Sequence, residues 1–242
     1  MRILTISTAI SIAIAASLGL LTPNVWIQAA KNLATFSTYL GIDTSLVYEA
    51  TIVAWETLVM SVFGVSVGTI LSYILSPLAT PVISSTPISM PIRTLANSIR
   101  AIPAIFWAIF FVILVGPGPK AGALALAVYT TGYLTKFFYE TLESSDIELV
   151  NSLRVMGLKG ILLASALYTN MRKQVISNIF FMLEYNIRSA AILGFVGAGG
   201  VGYYILQYIS LLDYVAVTTY ILITILFVIA IDMISYGIRS RI

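Results

Sequence analysis

Residues 184–202 read Glu184-Tyr-Asn-Ile-Arg188-Ser-Ala-Ala-Ile-Leu-Gly194-Phe-Val-Gly197-Ala-Gly199-Gly200-Val-Gly202. An acid and a base lie one helical turn apart in an apolar segment, and a glycine cluster follows them. A charge at the centre of a membrane helix costs about 2.5–3.5 kcal/mol on insertion scales, so such charges are usually paired and functional. Membrane helices are also interrupted where they line a pathway. The stretch therefore predicts a translocation element with these pathway residues: Glu184, Arg188, Gly197, Gly199, Gly200 and Gly202.

Each half of this stretch has two interpretations. Glu184 and Arg188 either neutralise each other and fix packing, or take part in solute passage with Arg188 attracting an anion. The glycine cluster either permits tight helix packing, or forms a break facing the solute. In the second case, a helix starting near Tyr203 directs its positive N-terminal dipole at an anion. The cluster also matches G-x-G-x-x-G, but a dinucleotide site needs a strand before it, and here a membrane segment precedes it.

Composition places the chain in a lipid bilayer. Hydrophobic residues make up 59% of the 242 positions and charged residues only 10%, whereas soluble domains carry about 25% charged residues. The chain has no Cys and no His, which excludes thiol nucleophiles, imidazole acid–base catalysis and most zinc, haem and iron–sulfur sites. We therefore expect neither an enzyme nor a bound cofactor or metal. The scattered basic residues and net charge of +3 indicate no nucleic-acid partner.

Apolar runs predict an all-α polytopic membrane protein with about six transmembrane helices. Pro103 is expected to kink the third of them. The first segment is expected to be a retained helix; a cleaved signal peptide, with a weak small-residue site near Ala29-Ala30, is the alternative. The predicted spans are Ile3–Leu21, Ala50–Leu75, Leu95–Val115, Ala121–Tyr139, Val175–Val196 and Tyr214–Tyr236.

Residues 140–173 form the one long charged stretch and must lie in water. Apolar residues recur there at helical spacing, which predicts an amphipathic helix that includes Val150 and Leu153. The positive-inside rule puts this stretch and both chain termini in the cytoplasm and leaves Lys31 and Lys120 outside. The basic residues then on the inner side are Arg2, Arg93, Arg154, Lys159, Arg172, Lys173, Arg239 and Arg241.

Arg93, Asn97 and Arg100 recur at helical spacing at the start of the third predicted span. We interpret them as a solvated start of the helix or as a contact with lipid headgroups, rather than as a ligand site. A G-x-x-x-G pair, Gly64 and Gly68, favours close helix packing in the second span.

Several motifs resemble the membrane-spanning permeases of ABC importers, most closely the phosphonate-uptake permeases. The similarity covers roughly residues 50–242. The residues that carry it are Ser98-Ile-Arg100-Ala-Ile-Pro103 with Gly116-Pro-Gly118-Pro, then Tyr139-Glu-Thr-Leu-Glu143, the run from Arg188 to Gly202, Asp213-Tyr and Ile231-Asp232.

The resemblance implies a cytoplasmic coupling helix with a Glu-Ala-Ala…Gly…Ile-x-Leu-Pro pattern. Gly157 matches the glycine of that pattern, whereas the acid and the proline are absent, so the contact with an ATPase is expected to be altered. The residues at the ATPase-coupling positions are Asn151, Ser152, Leu153, Gly157, Leu167 and Asn170.

The resemblance also implies a division of the chain and a set of partners. Residues 1–48 would form an N-terminal transmembrane helix and external loop, and residues 49–242 the permease transmembrane domain. The protein would be a multi-pass subunit in the cell membrane, where it meets the lipid bilayer and pairs with an identical or a different permease subunit. A cytoplasmic ABC ATPase would bind the ATP, because this chain has no Walker motif. An extracytoplasmic solute-binding protein would deliver a small anion, phosphonate or a related organophosphorus compound.

Three alternatives stay open. The same machine would serve methionine or another small solute, since methionine-uptake permeases carry a similar glycine run. A channel that works without an ATPase is favoured by the altered coupling motif. An intramembrane enzyme is disfavoured because His and Cys are missing.

Overall fold

The computed structural model describes the backbone of residues 2–241 and the side chains of residues 5–241. Every regular element in that part of the chain is helical, so the all-α prediction is confirmed. Side chains 1–4, including Arg2 of the predicted cytoplasmic set, lie outside the described residues. The helices are α1 (Arg2–Ser17), α2 (Pro23–Ser37), α3 (Val47–Ala79), α4 (Thr86–Ala101), α5 (Ala104–Val115), α6 (Pro119–Glu143), α7 (Ile147–Val155), α8 (Gly160–Asn170), α9 (Arg172–Leu193), α10 (Val201–Ser210) and α11 (Tyr214–Arg239).

The chain divides into two units, residues 1–42 and residues 43–242. The first contains α1 and α2, and Trp26 Nε1 donates to the carbonyl of Leu20 in the turn between them at 2.7 Å. Pro23 opens α2, where its missing N–H costs nothing. The sequence predicted an external loop in this region, whereas the structure has a 15-residue helix. The first predicted span is also shorter than expected, since α1 ends at Ser17.

Helices α3 and α6 form the centre of the second unit. A Cβ added at Gly64 would lie 2.7 Å from Leu126 Cβ, and one added at Gly68 would lie 2.6 Å from Thr130 Cγ2. The predicted G-x-x-x-G packing is therefore present, and its partner is α6. A hydrogen bond also joins the two helices, in which Ser72 Oγ donates to the carbonyl of Thr131 at 3.0 Å.

The third predicted span is broken at Pro103. Helix α4 ends at Ala101, α5 begins at Ala104, and the two are bent by 88°. Proline lacks a backbone N–H and restricts the residue before it, so a helix usually ends there. The kink expected at Pro103 is present, but it is sharp enough to make two separate helices.

Three helices in the described part of the chain are long and apolar enough to cross a membrane, or four if the bent pair α4–α5 is one span. The six predicted spans are therefore not confirmed. Helix α6 carries Lys120, Lys136, Glu140 and Glu143 among its 25 residues, yet fifteen of the 25 are buried. A helix enclosed by other helices need not match the apolarity of lipid, which is why hydropathy describes it poorly. The three helices are α3, α9 with its extension to Val196, and α11.

The C-terminal end of α6 packs on the segment that follows it. Phe138 and Leu142 lie in one buried cluster with Val150 of α7 and Leu163 of α8. Helix α9 then returns along α6, and α11 packs against α3, α9 and α10. This arrangement brings α9, the glycine segment and α10 together at one end of the unit.

Candidate functional site

Glu184 and Arg188 lie on consecutive turns of α9, and both contact α11. Arg188 Nη2 donates to Asp232 Oδ2 at 2.6 Å, and Arg239 Nη2 donates to Glu184 Oε1 at 2.7 Å. The interpretation in which Glu184 and Arg188 neutralise each other is therefore wrong, because each has its counter-ion on α11. Residue 184 pairs with 239 and residue 188 with 232, so the two helices run antiparallel.

The two ion pairs differ in exposure. The Glu184 side chain is only 12% exposed and Arg239 is 30% exposed. Arg188 and Asp232 are 52% and 38% exposed. The first pair is thus a packing contact between α9 and α11. The second presents two opposite charges on the surface of the chain, and a role in solute passage remains a prediction for it.

The glycine segment makes a tight turn after α9. A 3₁₀ turn, Gly194–Val196, ends α9, and α10 begins at Val201. Positive φ angles follow at residues 197, 199 and 200. At Gly199, where φ is +78°, a Cβ would lie 2.6 Å from the backbone nitrogen of Pro119. Backbone cannot move aside cheaply, so a side chain here would separate the segment from the start of α6. Tight packing, one of the two interpretations, is present.

Helix α10 begins two residues before Tyr203, and side chains of α3 accept hydrogen bonds from the amides at its N-terminus. The backbone N–H of Gly200 donates to Glu56 Oε1 at 3.0 Å. The next N–H, that of Val201, donates to Thr57 Oγ1 at 3.0 Å. The first amides of a helix attract a negative charge, and here that charge is the Glu56 carboxylate. The sequence predicted the dipole but not its occupant, because Glu56 is 144 residues away.

Two cavities meet at Glu56. The first, of about 300 Å³, lies beside the glycine segment. The second, of about 460 Å³, extends along α3 toward Phe63 and Leu124. Both are lined by Glu56 and Pro119, so the acid that caps α10 also forms part of their shared wall. The first cavity is lined by Glu56, Pro117, Gly118, Pro119, Gly197, Gly199, Gly200, Tyr203 and Tyr204.

The charged stretch contains two short helices, α7 and α8, joined by a glycine turn. The carboxylate of Asp146 caps α7 by accepting from the N–H of Glu148 at 2.9 Å. At the other end, the N–H of Gly157 donates to the carbonyl of Arg154, and that of Leu158 donates to the carbonyl of Leu153. This is a Schellman motif, which requires a left-handed residue, and Gly157 supplies it with φ of +87°.

The predicted coupling residues lie on different surfaces of this helix pair. Asn151, Ser152, Gly157 and Asn170 are exposed, and Leu153 is half-buried. Leu167 is buried in the core below the pair, so it is not available to a docking partner in this structure. Different apolar residues of α7 and α8 are exposed, and the sequence pattern did not distinguish them from the buried ones. They are Ile147, Val155, Met156, Ile161 and Leu162.

The chain matches a known family over most of its length. Residues 68–242 match the family described as "Binding-protein-dependent transport system inner membrane component". It is 32% identical over 192 residues to the phosphate-import permease protein PhnE of Mycolicibacterium smegmatis, covering 78% of this chain and 36% of that protein. It is 29% identical over 160 residues to the phosphite transport system permease protein PtxC of Stutzerimonas stutzeri, covering 65% of this chain and 58% of that protein. The chain thus spans little more than a third of the first relative and under three fifths of the second. These are transport permeases.

A solved structure shares the fold. The inward-facing MetNI methionine ABC transporter contains a chain that matches with a TM-score of 0.72 at 19% identity. The match covers 83% of this chain and 99% of that chain. At this identity the likeness shows the helical architecture alone.

Proposed function

The chain belongs to the family of binding-protein-dependent transport system inner membrane components, and on that premise we propose that it is the permease subunit of an ABC importer for a small phosphorus oxyanion, phosphonate or a related compound. The observation that carries the proposal is the family match over residues 68–242, which includes α7, α8 and the glycine segment. Relatives named for phosphate and phosphite transport support the class of solute.

A cytoplasmic ABC ATPase would dock on α7 and α8. The support is chemical: exposed Val155, Met156 and Leu162 form an apolar surface within a charged stretch, as expected of a protein contact. Asn151, Ser152, Leu153 and Gly157 belong to the proposed docking segment by position, and so does Asn170.

The proposed topology has both termini in the cytoplasm, with residues 1–48 as the first helix and external segment and residues 49–242 as the permease domain. The distribution of Lys and Arg supports it. A second permease subunit, identical or different, would complete a central pathway, and a solute-binding protein would dock outside. Glu184, Arg188 and the glycines at 197, 199, 200 and 202 are proposed to lie on that pathway.

Reconstitution tests this function. The purified permease would be placed in proteoliposomes with the ATPase that co-purifies with it and with a binding protein loaded with methylphosphonate, phosphite or methionine. We expect ATP-dependent uptake of the two phosphorus oxyanions and none of methionine. Uptake of methionine alone would reassign the solute. Solute flux without an ATPase would show a channel and overturn the importer proposal.

A further inference from the structure

Helix α4 carries two arginines, and only one has an acid partner. Arg93 forms an ion pair with Glu143 and lies 4.4 Å above the ring of Tyr139. Within the described side chains, residues 5–241, no carboxylate pairs with Arg100. Three other cations of the second unit, Lys136, Arg188 and Arg239, have acid partners. Arg100 is therefore a half-buried positive charge with no carboxylate partner among the described side chains.

Arg100 lies level with the middle of α6. Arg93 sits beside Tyr139 and Glu143, at the C-terminal end of α6, whereas the Arg100 guanidinium lies 4.6 Å from the centre of the Tyr133 ring. Ten residues separate 133 from 143, which is about 15 Å along a helix. In the proposed topology the C-terminal end of α6 lies at the cytoplasmic surface, which puts Arg100 near the middle of a hydrocarbon core about 30 Å thick. That depth favours a solute contact over the solvated helix start or headgroup contact interpreted from the sequence.

Close packing holds the arginine in place. A Cβ at Gly132 would lie 3.2 Å from Arg100 Cγ, so the arginine stem rests directly on α6. One guanidinium nitrogen, Nη1, donates to Asn97 Oδ1 at 3.2 Å. The Nε atom is buried and has no acceptor. A buried donor without an acceptor destabilises a fold, so the arginine is held here at a cost in stability.

Aromatic rings connect the arginine to the surface of the chain. Tyr133 lies 4.7 Å from Tyr129 and stacks at 6.3 Å on Tyr185, centre to centre. The hydroxyls of Tyr129 and Tyr185 are 2.9 Å apart, and Tyr185 is 39% exposed. A row of contacting tyrosines therefore extends from the guanidinium to an exposed ring on α9.

We infer that Arg100, supported by Asn97 and Tyr133, is the anion contact on the solute pathway, and that it binds a tetrahedral phosphorus oxyanion. This inference rests on the proposed function and names the group that recognises the solute. A guanidinium presents pairs of N–H donors that match two oxygens of such an anion. Arg188 is less suited to the task, because Asp232 already neutralises it. Lipid phosphate has the same chemistry, but headgroups lie at the membrane surface rather than near its middle.

Two substitutions test whether uptake depends on the positive charge of Arg100. Arg100→Gln removes the cation, and Asn97→Asp supplies a fixed counter-ion at the position that already accepts from Arg100. Both variants, in proteoliposomes with ATPase and loaded binding protein, should reduce the maximal rate of methylphosphonate uptake about 10-fold or more, the size expected for losing one charge-assisted hydrogen bond. Arg100→Lys keeps the charge and should retain more uptake than either. Asn178→Asp is the matched control, since Asn178 faces Thr141 and should leave uptake within about twofold.

A second readout separates recognition from a structural role. Asn97→Asp gains an ion pair, so it should melt at or above the temperature of the parent. Arg100→Gln removes an unsatisfied donor but loses the contact with the Tyr133 ring, so it should melt close to the parent, and both variants should retain the ATPase. The concentration of loaded binding protein that gives half-maximal uptake should not change, because docking takes place outside. Uptake within about twofold of the parent in both variants overturns the inference. Loss of uptake that always accompanies loss of folding overturns it as well.

Two further arms distinguish the remaining explanations. The uptake defect should be equal in vesicles of phosphatidylcholine and in vesicles containing phosphatidylglycerol. A defect confined to the anionic vesicles would assign Arg100 to lipid and refute a solute contact. If the parent complex takes up no phosphorus oxyanion at all, the proposed function fails and this inference with it. If the parent transports and the variants match it, only the assignment of Arg100 fails.

Discussion

Replacing Glu184 by Gln leaves Arg239 without its counter-ion between α9 and α11. Removing one partner of a buried ion pair costs about 3–5 kcal/mol, because the remaining charge is uncompensated. Glu184 is 12% exposed, but Arg239 is 30% exposed and partly screened by solvent. We therefore expect Glu184→Gln to lower the free energy of unfolding by about 3 kcal/mol, near the lower limit. Both members of the Arg188–Asp232 pair are more than a third exposed, so Arg188→Gln should cost about 1 kcal/mol or less.

A double-mutant cycle then identifies the true partner. Glu184→Gln with Arg239→Gln removes both charges of one pair, and the coupling energy should be about 1.5–3 kcal/mol. Glu184→Gln with Arg188→Gln leaves Arg239 and Asp232 both unpaired, so the two losses should add to about 4 kcal/mol. The assay is the free energy of unfolding from SDS titration in mixed micelles. Arg172→Gln, at the exposed start of α9, is the control for loss of a positive charge.

The opposite pattern would refute the reasoning. If the Glu184–Arg188 double variant recovers stability and the Glu184–Arg239 double variant does not, the counter-ions lie within α9 and the antiparallel contact with α11 is wrong. Coupling below about 0.5 kcal/mol for both doubles would mean that neither pair matters energetically.

Further predictions concern the glycines and the topology. Gly157→Val should weaken ATPase association and uptake without preventing membrane insertion. Gly157→Asn should have a milder effect, because Asn tolerates φ of +87°. If both variants retain the same amount of ATPase in a pull-down, the turn has no requirement for positive φ. Gly199→Leu should block uptake while the folded protein still purifies, because the leucine side chain would meet the backbone of Pro119. Gly237→Leu is the control, since its side chain has open space, and it should transport normally. Normal uptake by both variants would show that the glycine segment is a tolerant loop. Lys159→Cys should react with a membrane-impermeant maleimide only in inside-out vesicles and Lys120→Cys only in intact cells; labelling of Lys159→Cys from outside would invert the topology.

Local features of this protein followed from the sequence alone. The packing of Gly64 and Gly68 and a bend of the chain at Pro103 are both present, and the glycine of the family pattern, Gly157, forms a left-handed turn. Each depends on the presence or absence of a Cβ or a backbone N–H at one position, which are properties of the residue itself. Composition likewise indicated a lipid environment, because 59% hydrophobic residues is above the share found in ordinary soluble domains.

The number of spans did not follow from hydropathy. A window of apolar residues cannot distinguish a straight helix from α4 and α5, which meet at 88°. It also cannot show that α6 is enclosed by α3, α4, α5 and α9, where polar side chains find partners instead of lipid. The burial of Leu167 below α8 has the same origin, because the face of an amphipathic helix that is covered depends on what packs against it.

Which charges are paired was decided only by the tertiary structure. Glu184 and Arg188 are four residues apart, yet their counter-ions are 55 and 44 residues away. The anion at the start of α10 is Glu56, 144 residues distant. Ion pairing acts over a few ångströms, so it depends on which helices meet and in what register. The sequence determined that charges occur within apolar segments and need partners; the packing of α9 on α11 and of α4 on α6 decided that Arg188 has an acid partner and Arg100 has none.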